Sequence, residues 1–434
     1  MADTYFVGLR ATADLVDNED PQSWRAGILR LFPNGSAPLT ALTALMKSEK
    51  VSHDRFHWWT KTLTSQRAST ALYTTAGLGT LYTSGSASAG DMVHAKVSLV
   101  DSNMFRAGHQ VLLRDASDYN VDTTGKVSNV IKNGASSVIS IILLEDDDNS
   151  TTSTDLSDAD VVLIVGNINA QGAARPEAIT QGPTEFENYT QIWRNSTDIS
   201  RTLMETRLRT SPNIEKEIKK DTLELHSIEI EKALLWSTLF STGTGANGKP
   251  ERATRGVLSF IKEFGTVQDY TLDMAAAYAG KTWLQMGDEW LDEHLEEIFR
   301  FGSDERLAFV GSGALLGIQR LVKDRGMMSL TPQQTIWGSN VVVWTTPFGA
   351  ITMKTHPLFS YEATNRHSMV LLEPKNLRWM YVSDTSFYPD NSFKKGGGVG
   401  IDGKQEEFLT EAGLEIHFPE TGGYLNSIGL DNTQ

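Results

Sequence analysis

The chain contains no cysteine. Disulfides, thiolate metal sites and cysteine nucleophiles are all excluded, and the absence suits a reducing compartment. Long apolar runs are missing too. The best, VVLIV (161–165) and VISIILL (138–144), fall short of the roughly 18 residues that suggest a membrane-spanning helix. The opening stretch, MADTYFVGLRATADLVDNED, lacks the basic-then-apolar pattern of a secretion signal, so synthesis and folding in a cytoplasm are expected. Positive charge is scarce: 39 Lys and Arg stand against 54 Asp and Glu, a formal charge of −15. The densest basic group, Lys216, Lys219 and Lys220, is interleaved with Glu215 and Glu217. No basic patch offers attraction to phosphate backbones or anionic lipid.

What remains is an ordinary globular composition, 40% apolar and 21% charged over 434 residues, enough for two or three cores. Residues 1–54 form a loosely patterned amphipathic segment broken at Pro33 and Pro38. Residues 55–85 and about 173–209 are extended and rich in Thr, Ser, Gln, Arg and aromatics. In NYTQIWRNSTDISRT, Tyr189, Gln191 and Trp193 share one face and Thr190, Ile192 and Arg194 the other; neither is a clean core face. Between these arms, at about 90–168, the β-branched runs AKVSLV, HQVLLR, KVSNVI, VISIILL and DVVLIV alternate with turn-rich pieces. This spacing predicts five strands in a small inserted antiparallel sheet or barrel. Glu145, Asp146, Asp147 and Asp148 within it are read as a solvated hairpin tip, since neither their spacing nor a following glycine matches a calcium loop.

A long helix follows, predicted over 212–240 with Ser211 as N-cap and Pro212 at its first position. Ile214, Ile218, Leu225, Ile228, Leu235 and Leu239 fall in one arc, while Leu223, Ile230 and Leu234 fall opposite. A helix with two opposed apolar stripes needs two partners. Beyond it, 283–302 and 312–326 read as helices. SNVVVWTTPFGAITMKTHP, HSMVLLEPKNLRWMYV and EFLTEAGLEIHF read as strands. Their irregular order indicates an α+β fold.

The motifs that suggest chemistry are weak. GTGANGKP (243–250) approaches a phosphate loop, but it follows a helix C-terminus and Pro250 occupies the hydroxyl position. GGGVG (396–400) opens no helix, and GSG (311–313) is not a nucleophile elbow. His53 and His57 are the closest histidine pair, without metal-ligand spacing. Asp288, Glu289, Asp292, Glu293, Glu296 and Glu297 around His294 read as a solvated helix face. No catalytic, cofactor-binding or metal-binding residue is assigned, and no enzyme activity is expected.

Two arms polar on both faces and a helix with a spare stripe suit a chain whose burial is completed by neighbouring copies. Phe56, Trp58, Trp59, Tyr189 and Trp193 are the candidate self-assembly contacts, expected to lie partly exposed. At this point the chain resembles the major capsid proteins of tailed bacteriophages, the shell fold called Hong Kong ninety-seven, in a branch with a β-module inserted in the extended loop. The resemblance rests on the order of segments. It rests also on LFPNGSAPLTALTALMKSEKVSHDRFHWWTKTL (31–63), MFRAGHQVLL (104–113), NYTQIW (188–193), ERATRGVLSFI (251–261) and FLTEAGLEIHFPETGGYLNSI (408–428).

That resemblance implies an N-terminal arm at 1–54 and an extended loop at 55–209 carrying the β-module at about 90–168. It implies a peripheral domain at 210–274 with its spine helix 212–240, an axial domain at 275–380, and a return to the peripheral domain at 381–434. It also implies hexamers and pentamers closing an icosahedral shell around double-stranded DNA, without strong direct DNA binding. A separate scaffolding protein, a portal and a decoration protein are the implied partners, with no membrane. Assembly would occur in the host cytoplasm, and the protein would reside in the virion capsid. Gly243, Gly245, Gly396, Gly397 and Gly398 are candidate hinges. The alternatives are a protein-cargo nanocompartment shell of the encapsulin type, a nucleotide-dependent enzyme using 243–250, and an adhesin built around the β-module.

Overall fold

The computed structural model describes residues 46–61, 66–83, 87–117, 122–147, 155–206, 213–243, 245, 247–276, 281–325, 330–336, 339–389 and 403–431. Trp59–Thr184 form one unit, and the residues on either side of that stretch form the other.

The described residues start with β1 (Lys47–Lys50) and β2 (Arg55–Thr60). It then builds a β-module from β3 (Arg67–Ser69), β4 (Ala71–Tyr73), β5 (Met92–Val97), α1 (Leu99–Ser102), β6 (His109–Arg114), β7 (Asp122–Ile131), β8 (Ser137–Leu143) and β9 (Val161–Asn167). The strand order is β3-β9-β6-β7-β8-β5-β4, and every pairing is antiparallel. Alternation along these strands buries Val93, Ala95, Val111, Leu113, Ile139, Ile141 and Val162 in one core. Only Thr70 separates β3 from β4, yet these are the two edge strands. With one residue between them, the edges lie side by side, so the sheet curls into a barrel. Five strands are legible from sequence; the two that close the barrel are three residues each, too short for a periodic pattern.

The second unit continues through β10 (Thr184–Tyr189), which pairs with β2, then β11 (Gln191–Ser200), α2 (Arg201–Glu205) and α3 (Ile214–Trp236). Next come β12 (Phe240–Thr242), β13 (Glu251–Ala253), α4 (Val257–Phe264), β14 (Thr266–Asp269), α5 (Tyr270–Ala276), α6 (Trp283–Phe299), β15 (Glu305–Val310) and α7 (Ser312–Arg325). The chain finishes with β16 (Leu330–Ile336), β17 (Ser339–Thr346), β18 (Gly349–Thr355), α8 (Pro357–Tyr361), β19 (Met369–Leu372), β20 (Leu377–Tyr388), β21 (Gly403–Ile416) and β22 (Gly423–Asn426).

Two sheets organise this unit. One has the order β1-β20-β21-β11 and carries α3 and α4; the other has the order β14-β22-β19-β15-β18-β17-β16 and carries α6 and α7. The first core joins Phe56, Trp58, Trp193, Leu234, Trp379 and Leu414, and it reaches Phe309 and Val370 of the second sheet. The second core is built on Trp283, Trp290, Leu295, Ile318, Ile351 and Leu425. Thr282 starts α6 with a capping box closed by Gln285.

Several expectations need correction. Phe56, Trp58 and Trp193 are 7%, 6% and 5% exposed, so they are core residues of this chain and not partly exposed contacts. Trp58 donates its indole N–H to the Ile416 carbonyl at 3.0 Å, and Trp193 stacks on Trp379. The second polar arm is not a free ribbon either: β11 pairs over ten residues with β21, burying Trp193, Thr197 and Ile199 on one face. The sequence hid this because that face includes Thr197 and the other includes Ile192.

The spine helix is shorter than 212–240. Asn213 caps it, its side chain accepting from the Lys216 N–H, while Ser211 and Pro212 lie outside the described residues. Its far end at Trp236 gives way to a hairpin, so Leu239 is not helical. Within the chain Ile230, Leu234 and Leu235 are buried, whereas Leu223 and Leu225 are exposed.

The domain limits also move. β14 and β22 pair with each other in the second sheet, placing Thr266–Asp269 and Gly423–Asn426 with the region expected at 275–380 instead of with the spine helix. The β-module begins at β3, before 90. Residues 1–45 of the arm, Asp148, and Gly396, Gly397 and Gly398 lie outside the described residues.

Candidate functional site

The N-terminal half of α3 rests on charge. Glu406 on β21, its side chain 2% exposed, lies 2.7 Å from Lys219 Nζ and 2.9 Å from Lys404 Nζ. Both ammoniums also reach Glu215 at 2.6 Å. Hydrogen bonds from Lys219 and then Lys404 pull the Glu215 carboxyl down to about 2, and Glu215 and Glu406 hold Lys404 well above the usual lysine range. Two cations and two anions cancel, which makes this a weld between helix and strand.

Deeper along α3, His226 accepts or donates at both ring nitrogens, 2.5 Å from Asn195 Oδ1 and 2.8 Å from Thr410 Oγ1. A hydroxyl, an imidazole and an orienting amide in line have the form of a nucleophile with its base. Thr410 is 0% exposed and His226 1%, so no substrate reaches them, and burial lowers the His226 pKa. The array is a buried polar link, assembled from three distant segments that sequence reasoning had no means to join. Glu231 of α3 and His356 form a second link at 3.1 Å, with both side chains withdrawn from solvent.

The sequence motifs resolve into structure. The described residues between β12 and β13 form a turn, where the Gly245 N–H donates to the Lys249 carbonyl at 2.6 Å and Gly248 takes φ +72°. No helix N-terminus follows directly, so the phosphate-cradle geometry is missing. In the acidic run, Asp146 accepts from the Ala89 N–H, Asp147 accepts from the Tyr82 hydroxyl, and Glu145 accepts from the Thr124 N–H. Those carboxylates fasten loops. His57 pairs with Glu185 at 2.8 Å, and His294 lies beneath Trp290. Among the described residues, no group of His, Asp and Glu has metal-binding geometry.

The surface carries apolar groups with no cover from this chain: Trp59 is 63% exposed, Ile192 58%, Leu225 57% and Phe240 54%. Tyr189 is half-buried beneath the Arg55 guanidinium. Of the candidate assembly contacts, Trp59 alone stands well out of the fold; Leu225 lies on a helix stripe expected to need a partner, whereas Ile192 and Phe240 carry no such sequence signal because exposure is decided by tertiary packing.

With that surface in view, the sequence matches the family model described as SU10 major capsid protein over residues 8–429, which includes both units. The chain belongs to the SU10 major capsid protein family. A major capsid protein of Pseudomonas phage PaMx41 is 22% identical over 410 residues, covering 92% of this chain and 90% of its own length. Among solved structures, Microbacterium phage Oxtober96 gives a TM-score of 0.44 at 10% identity, covering 96% of this chain and 98% of that chain. The capsid of Myoviridae phage XM1 gives 0.42 at 9% identity, covering 95% and 98%. The SrpI encapsulin of Synechococcus elongatus PCC 7942 gives 0.37 at 13% identity, covering 59% and 78%. The family assignment rests on the sequence match over residues 8–429. The chain is thus a phage major capsid protein, a structural subunit of the capsid, and the nanocompartment reading is less supported.

Proposed function

We propose that copies of this chain form hexamers and pentamers that close an icosahedral shell around double-stranded DNA. The observation that carries the reading is the family match across both units, joined to uncovered apolar side chains at Trp59, Ile192, Leu225 and Phe240. Each such contact is weak, but repetition over a closed shell makes the sum large. Trp59 and Tyr189 are proposed assembly contacts.

Segment roles follow the same reading: residues 1–54 reach along a neighbour, the β2–β10 ribbon and β-module form the extended loop, the α3 sheet is peripheral and the seven-stranded α6–α7 sheet is axial. The −15 charge supports a container that holds DNA without gripping it, since Lys and Arg contacts to phosphate would hinder release. A scaffolding protein, a portal and a decoration protein complete the proposed partners, with assembly in the host cytoplasm and no enzymatic role.

Electron microscopy and sedimentation of the expressed protein, alone and with candidate scaffold genes from the same genome, test the reading. Capsomers or shells support it. A folded monomer that stays single at high concentration in every assembly condition refutes it.

A further inference from the structure

The β-module contains a cavity of about 560 Å³ that plays no part in the assembly reading. Gln66, Asp101, Asn103, Arg106, His109 and Gln181 supply its polar lining. Val100 and Ile179, 77% and 43% exposed, supply apolar wall. The volume falls within the roughly 300–1,000 Å³ of small-molecule sites.

The walls are built. Ser98 caps α1 and donates its hydroxyl to Asp101 at 2.7 Å. Arg106 donates through Nη1 to the Glu177 carbonyl, tying the segment after β9 to the barrel. Gln66 holds φ +51°, a left-handed backbone unusual for a residue with a side chain.

His109, 9% exposed, contributes a neutral ring to the lining. Arg106 Nε–H donates to its Nε2 at 3.1 Å, so that nitrogen is unprotonated and the ring proton sits on Nδ1. Burial and the adjacent Arg106 lower the ring's pKa, keeping it in this neutral form. Nδ1 has no hydrogen-bond partner among the described residues.

The lining excludes other guests. One guanidinium balanced by one carboxylate gives no net attraction to a phosphate or polyanion. Among the described residues no metal-binding group exists. A peptide adding as a strand needs a long free edge, but the barrel's edge strands are three residues each. The amides of Gln66, Asn103 and Gln181 and the Thr180 hydroxyl, beside aliphatic surface, suit a guest with hydroxyls on its rim and C–H groups on its faces. We infer that this cavity is a binding site for a neutral disaccharide.

Isothermal titration of the full chain with maltose, lactose, cellobiose and N,N′-diacetylchitobiose, beside inorganic phosphate, tests the inference. Saturable binding is expected for at least one disaccharide and none for phosphate. Affinity should fall about tenfold or more in Asn103→Ala with Gln181→Ala, both exposed side chains whose loss leaves the melting temperature unchanged. Thr180→Val, which removes one lining hydroxyl, should weaken binding as a second variant. Saturation by none of the disaccharides, binding of phosphate in their place, or affinity unchanged in both variants would overturn the site. None of these outcomes bears on shell assembly, so the two readings fail separately.

Discussion

Glu231 and His356 meet at 3.1 Å where neither touches solvent. His356 Nδ1 accepts from the Leu358 N–H at 3.2 Å, which leaves the proton on Nε2, facing the carboxylate. One ring therefore caps α8 and holds α3. His356→Ala removes both bonds and leaves a buried carboxylate without this donor; a loss of about 3–5 kcal/mol is expected by urea denaturation. Glu231→Gln keeps an acceptor for Nε2–H and should cost clearly less.

Glu215 gives a pH dependence whose sign is fixed. Its pKa drops from the ordinary 4.5 to about 2 in the fold, so its contribution is complete above 4.5 and is lost as pH falls through about 2. Hydrogen exchange in the first turns of α3 should rise in that window, and Lys404→Ala should weaken the dependence. Neither pair was legible in the sequence, because the partners lie 125 and 189 positions apart.

At the scale of elements, α3 and α4 approach so closely that a methyl group on Gly256 would lie 2.8 Å from the Ala233 carbonyl oxygen and 2.9 Å from that of Leu234. Gly256→Ala should therefore destabilise the protein by about 1–3 kcal/mol, read as a lower melting temperature. The neighbours Trp58 and Trp59 divide by strand alternation: Trp58 turns into the aromatic core against Phe56 and Phe186, and Trp59 turns outward. Trp58→Ala should cost about 3–5 kcal/mol of folding stability. Trp59→Ala should leave melting nearly unchanged and lower assembly yield by sedimentation. Strands and helices with clean periodicity were legible, including α6 and α7, the last two long strands, and five strands of the barrel. The short strands β3 and β4 were not, since three residues hold too little pattern to separate from a loop.

For the whole molecule, the charge of −15 sets the expectation for DNA. Purified subunits should show no stoichiometric binding to duplex DNA at physiological salt in a mobility-shift assay; a saturable complex would contradict the container reading. Segment order made the capsid resemblance visible before any contact was known, and the family match agrees with it. The inserted module was legible as a block for the same reason: its composition differs from that of the arms around it.

Composition and local period were enough to exclude thiol chemistry and helical membrane spans, to mark an α+β chain, and to reduce GTGANGKP to a turn. These properties depend on residues near one another in sequence. Tertiary structure alone decided that β11 is a sheet strand, that the module's edges meet across Thr70, that Phe56, Trp58 and Trp193 are core, and that a polar cavity opens beside His109. Burial and pairing depend on which distant segments come together, and a residue's type records its fitness for an environment, not its address.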